Sequence, residues 1–198
     1  MGVQERRARE KQNIREEILD AARTLFVKEG YEHVSIRKIA EKIEYAPGTI
    51  YLYFRDKAEI LDRICEETFS KLEQRLRAIA TDPSEPLDGL RRGLLTYVQF
   101  GVAHPNHYIV TFGQAKQLPQ DQHPQAGERC FNILRTAVRR CIDAGQLNCE
   151  DPEEVSQALW AGIHGITTLL VTGSFPFIEQ TRLIERVIFI LIEGVRKR

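Results

Sequence analysis

Scarcity narrows the class of this chain before any motif is read. Its 198 residues hold only four cysteines, Cys65, Cys130, Cys141 and Cys149, with neither CxxC spacing nor a nearby His-x-x-x-His partner. That pattern supports no zinc site and no secreted disulfide framework, so reduced, partly buried thiols are expected, and neither metal nor cofactor. Long apolar runs are also missing. Ile163 to Val171 and Val187 to Ile192 fall well short of the roughly 20 residues a membrane span needs, and Thr167 and Thr168 interrupt the first. The opening MGVQERRAREKQNIREE has basic residues but no apolar stretch of the signal-peptide kind, so a cytoplasmic protein without membrane contact is expected. Histidines at 104, 107 and 164 have no nucleophile, paired carboxylates or phosphate-binding loop beside them, which leaves an enzyme reading resting on histidine alone. The pair His104-x-x-His107 is discounted as a metal site because Pro105 intervenes and no third ligand is at hand.

Charge of one sign is lacking overall: 28 basic residues balance 28 acidic ones. The distribution is less even. Arg6, Arg7, Arg9, Lys11 and Arg15 against Glu5 and Glu10 make the first fifteen residues net positive by three, five minus two. Such a run suits a mobile arm laid along a polyanion, and it is also what a solvated terminus looks like.

With 42% hydrophobic residues the chain can bury a real core. Apolar residues recur at helical spacing nearly throughout, and strand-like alternation is absent, so the fold is read as all-α. The first helix is expected from Asn13 to Glu29, with Ile14, Ile18, Ala21, Ala22, Leu25 and Phe26 inward and Gly30 as its stop. Ser35 reads as an N-cap for a helix that turns Ile36, Ile39, Ala40 and Ile43 inward. A short helix from Pro47 to Tyr53 follows, with Ile50, Tyr51 and Phe54 as its expected anchors. Asp56 would cap a longer helix to about Ile79. Further helices are expected at Leu87–Ala103, Asn106–Phe112, Gln125–Ala144, Pro152–Thr172 and Glu179–Arg196. The breaks lie at Thr81–Pro86, His104-Pro105, the LPQDQHP segment, Gly145–Asp151 and Gly173–Pro176. This divides the chain into an N-terminal unit, residues 1–57, and a helical remainder, 58–198.

Two short helices joined by a tight turn and braced by a longer one have the form of a helix-turn-helix, which presents its second helix to the DNA major groove. The residues Ser35-Ile36-Arg37-Lys38-Ile39-Ala40, followed by Pro47-Gly48-Thr49-Ile50-Tyr51-Leu52-Tyr53-Phe54-Arg55-Asp56-Lys57, closely resemble the signature of the TetR family of transcriptional regulators. The resemblance spans about Ile14 to Leu61. It implies a DNA-binding homodimer in which Ser35, Tyr51, Tyr53 and Lys57 contact phosphates, while Arg37, Pro47, Gly48 and Thr49 lie nearest the base edges. The chain departs from the family pattern at the turn, where glycine-valine-serine is usual and Glu44, Tyr45 and Ala46 stand instead. Glu44 would then take a left-handed conformation at a cost of roughly 1 kcal/mol. Ala46 cannot cap, which forfeits about 0.5–2 kcal/mol relative to serine.

The last two helices are apolar on wide faces: Leu159, Ile163, Ile166, Leu169 and Leu170 on one, Leu183, Val187, Ile190 and Leu191 on the other. Either an internal core or a dimer interface would account for them. The family resemblance implies a four-helix interface built from these two helices of each subunit. Trp160, His164 and Gly165 also resemble the Trp-His-Gly pattern of one C-terminal domain type in the family. Small residues at 158, 161, 162 and 165 would admit a close helix neighbour. Tyr97, Phe100, His104, Tyr108, Phe112, Phe131, Trp160 and His164 are the candidate lining of a site for a small apolar or aromatic effector, and are equally the material of a plain core. The expected function is a repressor released from operator DNA by that effector. A constitutive DNA-binding dimer and, last, a small helical enzyme are the alternatives.

Overall fold

A computed structural model describes residues 2–82, 85–114, 125–148, 151–173 and 179–197. The LPQDQHP segment, Cys149, and the breaks expected at Gly173–Pro176 and inside Thr81–Pro86 lie wholly or partly outside the described residues. Nine α-helices are present among the described residues: α1 (Val3–Glu29), α2 (Ile36–Lys42), α3 (Pro47–Ile50), α4 (Lys57–Ala80), α5 (Pro86–Ala103), α6 (Pro105–Gln114), α7 (Gln125–Asp143), α8 (Pro152–Val171) and α9 (Gln180–Val195). A 3-10 turn, Tyr31–His33, links α1 to α2. Only an isolated antiparallel bridge, Leu147 to Arg196, departs from this all-α pattern among the described residues. None of the helices is long and apolar enough to cross a membrane, again among the described residues.

Local signals act where the sequence places them. Gly30 ends α1 at a φ of 81°, with its N–H on the Phe26 carbonyl at 3.1 Å. The Ser35 hydroxyl accepts the Lys38 N–H at 3.2 Å and starts α2. Asp56 Oδ1 accepts the Glu59 N–H at 2.8 Å at the head of α4, and that bond leads the causes holding the Asp56 carboxyl below its ordinary pKa.

Two expectations are corrected here. α1 starts at Val3, not Asn13, so the basic arm is an exposed helical extension. Arg, Lys, Glu and Gln are good helix formers, and the segment also holds an i,i+4 ion pair, Arg6–Glu10, at 3.3 Å. α3 ends at Ile50, and the chain continues to Phe54 as hydrogen-bonded turn: Leu52 N–H reaches Thr49 O at 3.1 Å and Phe54 N–H reaches Ile50 O at 3.0 Å.

The chain divides into two compact units, Met1–Thr68 with Asn106–Pro124, and Phe69–Pro105 with Gln125–Arg198. The core of the first is built from Ile18, Leu19, Ala22 and Phe26 of α1, Ile39 and Ala40 of α2, Ile50, Phe54, then Ile60, Leu61 and Ile64 of α4, with Val110 of α6. In the second, α5 packs on α7, α8 and α9, and α8 packs on α7 and α9. A β-carbon at Gly162 would come within 2.6 Å of a Leu191 methyl, so that glycine is set by the close approach of α8 and α9.

The expected apolar face of α8 is chiefly internal: Leu159, Ile163, Ile166 and Leu170 are buried and Leu169 is exposed. On α9 the phase is corrected by one residue. Ile184, Ile188 and Ile192 are buried, Leu183, Val187 and Leu191 are half-buried, and Ile190 is exposed. The apolar arc of α9 is wider than the stripe it buries, so periodicity places the inner face only to within one residue.

Candidate nucleic-acid interface

A helix of four residues is not stable alone, so α3 must be held by what it packs against. Ile50 is fully buried and Phe54 is 1% exposed, each worth roughly 1.5–3 kcal/mol in removal from water. Tyr53 is half-buried against the same core. Tyr51, expected as an anchor, is 57% exposed and anchors nothing. Its place is taken by Arg15 of α1, whose guanidinium lies 4.5 Å from the centre of the Phe54 ring and donates to the Tyr53 carbonyl at 3.4 Å.

The preceding turn shows how the chain manages without the usual glycine and serine. Glu44 has a φ of 61°, the left-handed conformation expected of it. Its N–H reaches Glu41 O at 3.2 Å, and the Tyr45 N–H reaches Ala40 O at 3.0 Å. Those two bonds form a Schellman motif, which satisfies two of the last carbonyls of α2 and repays part of the strain. Ala46 makes no side-chain cap, as expected.

The sequence-predicted DNA residues then fall into three groups. Arg37, Pro47, Gly48 and Tyr51 are exposed, and Thr49 is half-exposed. A β-carbon at Gly48 would meet nothing within 4 Å, and Gly48 has no positive φ, so the chain's own structure gives no reason for glycine there. Ser35 is exposed; its oxygen caps α2 while its hydroxyl hydrogen can still be donated. Lys57 is turned to the chain itself. Its ammonium donates to the Tyr31 carbonyl at 2.7 Å and stands 4.0 Å from the centre of the Tyr31 ring. Burial lowers its pKa, against the pull of Glu32. An ammonium has three donors, so the single bond to the Tyr31 carbonyl does not use them all. α2 is tied to the end of α1 by Lys38, whose ammonium donates to Glu29 Oε2 at 2.6 Å and to His33 O at 3.0 Å. The Lys38 hydrogen bond leads the causes that lower the Glu29 pKa.

Sequence reasoning missed the roles of Arg15 and Lys38, since contacts made 38 and nine residues away leave no local pattern. It also missed Leu52, 76% exposed. Four residues on from Gly48 and off the Ile50–Phe54 face, Leu52 could have been found by helical spacing.

The eight candidate effector residues are divided between the units. Tyr108 and Phe112 belong to the first, their ring centres 4.6 Å apart. The other six belong to the second. There the Tyr97 hydroxyl lies 3.1 Å from His164 Nδ1, the His164 ring stacks on Trp160 at 5.1 Å, and Trp160 meets Phe131 edge-on at 6.3 Å. Burial pushes the His164 pKa down. His104 packs on Phe100 at 4.9 Å with Arg75 Nη2 3.5 Å from its Nε2, and burial, followed by Arg75 and Lys71, lowers its pKa. Both rings are therefore neutral near pH 7. The thiols of Cys65 and Cys141 are wholly buried, which raises their pKa to about 12 and about 11 and holds them protonated. Among the described residues, no group of three or more His, Cys, Asp or Glu is placed to hold a metal.

A braced pair of short helices, the second held by its inner face with small and polar residues turned outward, is the geometry of a helix-turn-helix DNA-binding protein. Comparison with known proteins makes this specific. The family model for bacterial regulatory proteins of the TetR family matches residues 18–64, and that for the tetracyclin repressor-like C-terminal domain matches residues 90–191. The chain belongs to the TetR family of DNA-binding regulators. A curated relative, the nucleoid occlusion factor SlmA of Yersinia pseudotuberculosis, is 27% identical over 173 residues, 84% of this chain and 87% of the relative. Solved structures share the fold. The fatty acid degradation regulator FadR from Bacillus halodurans superposes with a TM-score of 0.80 at 23% identity, covering 93% of this chain and 97% of that one. FadR from Bacillus subtilis, solved in complex with stearoyl-CoA, gives a TM-score of 0.79 at 23% identity, covering 90% and 98%.

Proposed function

We propose that this chain is a cytoplasmic homodimeric repressor that reads operator DNA through α2 and α3 and is released by a small apolar or aromatic effector. The observation that carries the DNA part is the outward presentation of Arg37, Pro47, Gly48, Thr49 and Tyr51 opposite a core face anchored by Ile50 and Phe54. Ser35, Tyr51, Tyr53 and Lys57 hold phosphates, and Arg37, Pro47, Gly48 and Thr49 approach base edges. Functionally the chain divides at residue 57, with DNA contact before it and dimer and effector roles after it.

The dimer forms on the outer faces of α8 and α9. Ala161, Gly165 and Leu169, spaced four apart, are exposed on α8, and Phe189 and Ile190 are exposed on α9 at 46% and 59%. Two recognition elements then enter successive major grooves about 34–36 Å apart. The effector is held among Tyr97, Phe100, His104, Phe131, Trp160 and His164 of the second unit, and the Tyr97–His164 hydrogen bond is its polar handle. The fold accepts such ligands, as the stearoyl-CoA held by the Bacillus subtilis FadR illustrates. α4, continuous from Lys57 to Ala80, transmits the change in spacing.

The test begins with duplexes selected from a random pool. Lys57→Ala weakens binding to all sequences about equally and lowers the salt slope by about one unit, whereas Thr49→Ala changes discrimination between sequences. Equal affinity for selected and random duplexes refutes the operator reading. An effector must act reciprocally, binding the operator complex less tightly by the same factor as it weakens the operator. If stearoyl-CoA and simple aromatic acids all leave operator affinity unchanged, the constitutive dimer is the better account.

A further inference from the structure

Among the described residues, the first unit leaves three large apolar side chains exposed: Tyr45 at 36%, Tyr51 at 57% and Leu52 at 76%. All three fall within eight residues, on the turn and on α3 and its continuation. An exposed leucine elsewhere would need no explanation, but a cluster confined to one short segment does. The hydrogen bonds Thr49 to Ala46, Leu52 to Thr49 and Phe54 to Ile50 keep the backbone helical in character through Phe54. Ile50 and Phe54 are buried on the inner face, whereas Gly48 and Leu52 are both exposed and lie off it. At Gly48 a β-carbon would touch nothing. The isobutyl group of Leu52 thus stands proud of the surface, and Gly48 presents only backbone there. α2, which packs against α3, exposes Arg37, Lys38 and Lys42 against Glu41, a net of two positive charges, three minus one, with Lys38 paired to Glu29.

We propose that Leu52 is a base-reading residue whose side chain packs on the C5-methyl group of a thymine in the major groove, with Gly48 giving that base edge room to approach. The inference rests on the DNA-binding reading above and deepens it. Thymine alone among the four bases presents a methyl group in the major groove, so an apolar side chain there discriminates without any hydrogen bond. In a dimer the contact occurs once per half-site. The binding site then carries a required thymine at symmetry-related positions.

The experiment replaces each thymidine of a selected duplex in turn with deoxyuridine, which removes only the methyl group. With the native chain, one position per half-site loses about fourfold in affinity, the worth of one buried methyl group. With Leu52→Ala that position becomes insensitive to the replacement while the other positions keep their native response. Leu52→Asn gives the same loss of methyl sensitivity with a polar side chain of similar size, and the exposure of residue 52 leaves folding of both variants intact. Tight, selective binding that no deoxyuridine replacement weakens overturns the inference and leaves the DNA-binding reading standing. Retention of the native replacement pattern by both variants does the same. Failure of the native chain to select any duplex overturns both.

Discussion

Replacing Glu44 with glycine should stabilise this protein, and replacing it with alanine should not. Glu44 sits at a φ of 61°, a conformation costing roughly 1–2 kcal/mol for a residue with a β-carbon. Glycine removes that cost but gains freedom in the unfolded chain worth about 0.4–1 kcal/mol, so the net expected gain is about 0.5–1 kcal/mol. For a chain of this length that is a rise of about 1–4 °C in Tm. Alanine keeps the β-carbon and therefore the strain. As an exposed substitution it should fall within about 0.5 kcal/mol of the native chain. The assay is thermal unfolding of the three proteins, together with amide exchange at Tyr45, whose N–H closes the turn on Ala40 O. Slower exchange at Tyr45 in Glu44→Gly alone is expected. If glycine and alanine shift Tm equally, or if glycine lowers it, the strain argument is wrong.

Two other consequences can be measured directly. Ile190→Glu puts a charge on an exposed apolar position of α9, once in each copy of an isologous dimer, so the monomer should stay folded while dimer affinity falls by about 10²–10⁴-fold; an unchanged sedimentation profile refutes the α8–α9 face. His104 and His164 have folded pKa values below the ordinary 6.5, so the unfolded chain binds more protons, and their contribution is intact above pH 6.5 and is lost as pH falls toward each folded pKa. Carboxylates such as Glu73, for which hydrogen bonds from Arg129 and Arg77 outweigh burial and hold the pKa below 4.5, lose theirs only at lower pH. A falling Tm between pH 6.5 and 5, flattened by His164→Gln, is the expected result, and a pH-independent Tm there refutes it.

Much of this fold was readable in the chain because its signals are local. Gly30, Ser35, Asp56 and the His104-Pro105 step act through groups within four residues, and each works in the structure as its chemistry requires. Glu44 and Ala46 were readable for the same reason. What the chain concealed is phase and long-range contact. The apolar arc of α9 is wider than the stripe it buries, so period alone does not choose between the Leu183 and Ile184 rows, and the inward turn of Lys57 depends on a carbonyl 26 residues away. Tyr51 carried two expectations, a core anchor by spacing and a phosphate contact by resemblance, because tyrosine serves equally as core or surface, and the structure exposes it.

These contacts give the reading element two unlike ends. Its C-terminal end is fixed by Ile50 and Phe54 in the core, by Arg15 on the Tyr53 carbonyl, and by Lys57 on Tyr31 just beyond. Its N-terminal end has a strained turn residue, no side-chain cap and a glycine with open space around it. In the proposed complex, fixing the first end would set where the element stands on the duplex. In the same complex, leaving the second adaptable would let Pro47, Gly48 and Thr49 settle against base edges at little cost in packing, because all three are exposed or half-exposed. The departures from the family pattern at 44 and 46 therefore weaken the end at which adjustment is useful and spare the end at which position is set.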